Sequence, residues 1–105
     1  MNKYGAVKTQ VDGITFASRR EANRWCELKL MEKAGLISDL QRQVQFEIVP
    51  KTDKYRARYY VADFVYIDTK TGNNVIEDAK GCRTQTYRLK KALMYWKYGV
   101  DIIEV

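Results

Sequence analysis

Three side chains in this sequence have the types and the spacing to do chemistry together: Asp63, Asp78 and Lys80. Asp63 stands inside the run Tyr59-Tyr60-Val61-Ala62-Asp63-Phe64-Val65-Tyr66-Ile67, whose β-branched and aromatic residues read as a strand. Alternation sends Val61, Val65 and Ile67 to one face and Ala62, Phe64 and Tyr66 to the other, the pattern of a central strand covered on both sides. Asp78 and Lys80 follow Val75-Ile76-Glu77 on a second such run and, two apart, share a face. Glu77 has the opposite parity and is read as pointing away from them. A carboxylate among apolar neighbours is costly unless paired. No arginine is fixed beside these two by the sequence, so a divalent cation is the economical partner. Mg²⁺ accepts a few carboxylates and keeps several waters.

Composition narrows the chemistry. The chain has 105 residues and is read as one domain over 1–105. It contains no histidine, and its two cysteines, Cys26 and Cys82, form no CxxC pair. Zinc sites, His-dependent nucleases and Ser-His-Asp or Cys-His catalysis are therefore disfavoured, and both thiols are expected reduced. The net charge of +6 and pI of about 9.4 point to an anionic partner, nucleic acid before membrane surface. The N-terminus has no apolar h-region and no stretch is long enough to span a bilayer, so a cytoplasmic location without membrane contact is expected.

The elements that must position these residues can be read in order. Val11-Asp12-Gly13-Ile14 signals a small hairpin. Residues 18–34 read as a helix, with Ser18 and Glu21 as a capping box, Ala22, Trp25, Leu28 and Met31 as the buried face, and Gly35 as the stop. Residues 41–50 alternate as a half-buried strand, with Val44, Phe46 and Ile48 on one face and Gln43, Gln45 and Glu47 on the other. A polar loop over 51–57, the strand 58–68, a turn over 69–74 and the strand 75–80 follow. Thr84 or Thr86 caps a second helix that runs to about Tyr98, with Leu89, Ala92, Leu93 and Trp96 facing the core and Gly99 ending it. A short strand around Ile102 and Ile103 closes the chain. The expected fold is α/β (α+β), an αβββαβ order with three antiparallel strands and a last strand returning parallel, so a mixed four-stranded sheet flanked by helices. The second helix is basic, and Arg83, Arg88, Lys90 and Lys91 are read as phosphate contacts; Lys54 and Arg56 of the 51–57 loop are the other candidates.

This order, with Asp63 on one strand and Asp78-Ala79-Lys80 on the next, resembles the PD-(D/E)xK nuclease superfamily. Within it the chain resembles a family of small phage-encoded proteins with similar runs: Val11 to Ile14, Ser18 to Ala22, Tyr60 to Phe64 and Glu77 to Gly81. Ala62 stands where the superfamily name has proline, and Asp78 replaces the commoner glutamate. The resemblance implies a restriction-endonuclease-like core and a Mg²⁺-dependent DNA endonuclease, with Mn²⁺ as the substitute ion. Asp63 and Asp78 would be the central ligands, with the Ala79 carbonyl facing the metal. Glu21 would contact a metal directly or through water, and Lys80 would sit beside the attacking water and the phosphate. Structure-selective cleavage of branched DNA by a homodimer is implied by likeness to Holliday-junction resolvases of the same superfamily, and phage replication or packaging proteins are further partners. Two alternatives stay open: a non-catalytic DNA-binding module, and a nuclease subunit active only with a partner. At the level of single residues, Glu21 can serve purely as a helix cap, and Asp78 with Lys80 can be a surface cross-strand ion pair.

Overall fold

A computed structural model describes residues 8–79 and 83–105. Its elements are β1 (Thr9–Val11), β2 (Ile14–Phe16), α1 (Arg19–Lys33), β3 (Ile37–Val49), β4 (Arg58–Asp68), β5 (Asn74–Asp78), α2 (Gln85–Tyr98) and β6 (Ile103–Glu104). β1 and β2 form a two-stranded sheet. The other four form a mixed sheet in the order β3-β4-β5-β6, antiparallel except for the parallel β5–β6 pair. The expected mixed α+β architecture is therefore present.

Local chemistry explains the element ends. Asp12 and Gly13 both have positive φ (53° and 75°), the requirement of the tight turn that pairs Val11 with Ile14. α1 starts at Ser18, whose Oγ accepts the Glu21 N–H at 3.1 Å. It ends in a left-handed Gly35 (φ 79°), with the Leu36 N–H reaching the Met31 carbonyl and the Gly35 N–H reaching Glu32. Thr84 caps α2 in the same way, accepting the Tyr87 N–H at 3.1 Å, and Gly99 closes it with φ 67°.

Two cores form, one on each face of the sheet. Phe16, Ala22, Trp25, Leu28, Ile37, Phe64 and Tyr66 pack with α1; Ile48, Tyr60, Ala62, Ile76, Tyr87, Met94 and Ile102 pack with α2. Each fully buried large side chain among them, such as Phe16 or Met94, contributes ~1.5–3 kcal/mol.

Three expectations are corrected. β3 begins at Ile37, not Gln41: residues 37 and 38 already pair with Asp68 and Ile67, and a bulge at Asp39 (φ 54°) hides this start from a simple alternation count. Leu89, Ala92 and Trp96 do not face the core. Leu89 is 61% and Trp96 77% exposed, Ala92 is exposed too, and the sheet instead receives Tyr87 and Met94, with Leu93 half-buried. The helix has two apolar stripes, and the periodicity chosen from the sequence followed the outward one. Finally, β4 does not keep one set of faces. Tyr60 and Ala62 lie in the α2 core, whereas Phe64 and Tyr66 lie in the α1 core. In a regular strand residues two apart share a face, so the alternation resets at Asp63. β3 resets beside it, with Leu40 on the α1 side and Phe46 on the α2 side of Gln43. Gln43 has φ 54°, and Val61, expected covered, is 39% exposed.

Candidate active site

The place where both strands change face carries the carboxylates. Asp63 is half-buried at the reset in β4. Its Oδ2 accepts the Ala79 N–H at 2.8 Å, and its Oδ1 accepts from Gln43 Nε2 at 3.2 Å. The same Gln43 Nε2 donates to Glu21 Oε1 at 3.2 Å. One neutral amide therefore bridges two carboxylates, each giving one oxygen to the same nitrogen. The positive φ of Gln43 is what delivers its side chain there. A non-glycine residue in that region costs on the order of 1–3 kcal/mol unless its surroundings impose it.

Glu21 is 5% exposed. Ser18 completes its half of the cap, but the Glu21 carboxylate turns to Gln43 and, at 3.8 Å, to the Arg42 guanidinium. Arg42 lies over the Phe16 ring at 4.7 Å, which fixes its direction. The alternatives weighed for Glu21, cap or site residue, are thus divided between its backbone and its side chain.

Asp78 ends β5 and is 1% exposed. Its Oδ2 accepts the Tyr60 hydroxyl at 2.6 Å. Burial first, then the bond to Asp78, pushes the Tyr60 hydroxyl well above the usual phenol range, and the charges of Asp78 and Asp63 both act on it. Tyr60 therefore stays protonated and remains a donor, with both aspartates in its electrostatic reach. Glu77 points to the opposite face, as expected from its parity. Arg24 donates to it from Nε (2.8 Å) and Nη2 (2.6 Å), and the Tyr66 hydroxyl donates as well. The Glu77 bond holds the Arg24 guanidinium above its ordinary pKa.

β6 closes the site from the side. Glu104 pairs with Asp78 in parallel register, and the Val105 N–H donates to the Asp78 carbonyl at 3.0 Å. Glu104 accepts the Tyr87 hydroxyl at 2.8 Å and binds Lys91 at 3.4 Å and Arg83 at 2.8 Å. Those donors, Tyr87 first, lower the Glu104 carboxyl below its ordinary range.

Of the residues singled out in the sequence, Glu21 and Asp63 are brought together through Gln43, Ala79 joins them through its N–H, and Asp78 stands on the neighbouring strand behind Tyr60. Lys80 lies outside the described residues. Among the described residues no three carboxylate or thiol side chains converge on one point. A cation here would be held by two carboxylates with backbone and water, a donor set that Mg²⁺ accepts. Arg88 and Lys90 stand on α2 without an ion pair among the described residues, Arg83 and Lys91 share Glu104, and Lys54 and Arg56 are exposed on the 50–57 loop. Gln43, Tyr60, Arg42 and Glu104 were missed from sequence. Gln43 had looked like one more polar residue on the open face of β3, and nothing local announces a face change.

A family model for a protein of unknown function, DUF1064, matches residues 1–102. The chain belongs to the DUF1064 family. Among curated proteins and among solved structures nothing matches. The match spans every site residue of this DUF1064 member except Glu104 and Val105. No helix among the described residues is long and apolar enough to cross a membrane.

Proposed function

We propose that this protein is a Mg²⁺-dependent DNA endonuclease of the PD-(D/E)xK type, acting on branched or otherwise irregular DNA. The observation that carries the reading is the Glu21–Gln43–Asp63 bridge at the point where β3 and β4 change faces, with Asp78 on the adjoining strand. Two carboxylates bridged by one neutral amide suit a hard cation far better than they suit an apolar core. Mg²⁺ supplies a Lewis acid for the phosphoryl oxygen and lowers the pKa of water. The chain's own residues bind and orient. Asp63 would be a ligand together with either Glu21, bridged to it by Gln43, or Asp78 on the adjoining strand, and the Ala79 N–H and Gln43 amide fix the Asp63 carboxylate. The protonated Tyr60 hydroxyl holds the Asp78 carboxylate still. Lys80, two residues beyond Asp78, takes the role the resemblance gives it, offsetting charge on the phosphate.

The test is cleavage of labelled four-way junction, flap, duplex and single-stranded DNA with Mg²⁺ or Mn²⁺, for wild type beside Asp63→Asn and Lys80→Ala. Metal-dependent cuts lost in both variants are expected. A wild type that cuts none of these substrates with either metal would overturn the enzyme reading. One observation favours a second reading, a DNA-binding module without catalysis: the nearly inaccessible Asp78 already takes a short bond from Tyr60. That reading expects no cleavage and unchanged DNA affinity in Asp63→Asn.

A further inference from the structure

Helix α2 carries two apolar stripes and the fold uses only one. Tyr87 and Met94, 5% and 0% exposed, face the sheet. On the other side Leu89, Ala92 and Trp96 fall at i, i+3 and i+7, one line along the helix, and Trp96 is 77% exposed. Tyr95, also exposed, stands one line over with Arg88. Arg88, Lys90 and Lys97 flank this surface, and Gln85–Tyr98 contains no acidic residue. An exposed indole on a cationic helix marks an interaction surface rather than packing left unfinished.

The charge decides among occupants. A second copy of α2 laid on the first would bring two sets of cations together. Glu47 offsets Lys97, and Asp101 and Glu104 border the Arg88 side, but the helix supplies no carboxylate to Arg88 or Lys90 along the Trp96 line, so the contact is repulsive there. Duplex DNA satisfies the cations but keeps its base faces stacked and gives the indole nothing to cover it. A single strand offers both, with phosphates at regular spacing and open base faces that stack on aromatic rings. We propose that the outward face of α2 binds single-stranded nucleic acid, with bases stacked on Trp96 and Tyr95 and phosphates on Arg88 and Lys90. α2 begins beside the candidate site, because Arg83, just before its cap, pairs with Glu104, the register partner of Asp78. Its 14 residues extend about 21 Å from there. The inference rests on the nuclease reading only in what it adds to it: the substrate's unpaired arm lies along α2.

Binding is measured in EDTA, so that cleavage plays no part, by fluorescence anisotropy with labelled oligo(dT) of about twenty nucleotides and with a duplex of equal length. The proteins are wild type, Trp96→Ala and Trp96→Phe, each checked by circular dichroism; Trp96 is exposed, so its variants keep the fold. The expected result is binding of oligo(dT) that weakens about fivefold or more in Trp96→Ala, less in Trp96→Phe, and less than about twofold for duplex in either. Equal losses on both probes, or none, overturn the proposal. So does a wild-type dimer in sedimentation that Trp96→Ala converts to monomer, since a second copy would then be the occupant. Intact binding by a protein that never cleaves would sink the nuclease reading and leave this surface standing. Cleavage with no preference for unpaired strand in binding would do the reverse.

Discussion

Glu77 and Asp63 are carboxylates on neighbouring strands, with Glu77 paired in register to Phe64, the next residue after Asp63. Their surroundings differ in kind. Glu77 is fully buried and meets a guanidinium fork and a phenol, so its charge is cancelled by a permanent cation in bidentate geometry. Asp63 is half-buried and meets a backbone N–H and a neutral amide that it shares with Glu21. One carboxylate is closed and ties α1 to the sheet. The other is oriented by neutral donors alone, with no cation paired to it among the described residues. Acidic residues one position apart in the sheet thus do different work according to whether the helix above supplies an arginine or another acid.

The largest effect that should separate the two is on activity. Asp63→Asn keeps the size but turns an amide NH2 toward one of the two N–H donors that Asp63 accepts. Metal-dependent cleavage should fall by about 10²-fold or more, with the melting temperature lower by only roughly 4–8 °C. A single-turnover assay and a thermal melt would check it; an equal loss in Glu77→Gln would erase the distinction.

The next effect is on stability. Glu77→Ala leaves Arg24 Nε and Nη2 and the buried Tyr66 hydroxyl without their acceptor, Arg24 keeping only Glu27, and should cost ~3 kcal/mol. In a domain of this size that lowers Tm by roughly 12 °C or more, read by circular dichroism. Joint replacement, Arg24→Met with Glu77→Leu and Tyr66→Phe, should recover most of the loss, because an apolar set avoids the desolvation cost of the ion pair and leaves no buried hydroxyl unpaired.

A smaller effect sharpens the role of the bridge. Gln43→Gly tolerates the positive φ and removes the amide. Stability should change little, whereas Mn²⁺ affinity by titration calorimetry should weaken about tenfold, as for other groups that orient a metal ligand. Gln43→Ala should lose the same affinity and be less stable than Gln43→Gly, since alanine keeps the left-handed strain that Gln43 already bears and glycine relieves it.

The smallest effect is a pH dependence at the edge of the sheet. Glu104 has a folded pKa lowered below its ordinary 4.5 by Tyr87, then Lys91 and Arg83. A depressed carboxylate contributes stability that is present above its unfolded pKa and is lost as pH falls through the folded value. Tm should therefore drop in that acid window, and Glu104→Gln should show a flatter profile there with lower Tm at neutral pH.

Much of the frame was legible. The β1–β2 turn follows from Asp12-Gly13, both helix caps from Ser18 and Thr84, and the antiparallel meander with a parallel return from short connections and one helical crossover. The faces of α2 were not legible. Leu89 and Trp96 have the spacing of a buried stripe as good as that of Tyr87 and Met94, and only the docked sheet chooses between them. Gln43 was invisible for a related reason. Alternation counts assume a strand keeps its faces, and the reset at Gln43 and Asp63 exists only because two strands bend together between two helices on opposite sides.

The sequence by itself determined which residues could bear charge in the sheet and which local turns and caps would form, because those depend on side-chain type and on neighbours a few positions away. The tertiary structure alone decided which carboxylate received Arg24, which received Gln43, and which face of α2 was left to solvent. Those outcomes depend on partners that are 20 or more positions distant, such as Gln43 with Asp63 and Arg24 with Glu77, and no local pattern encodes the geometry that brings them together.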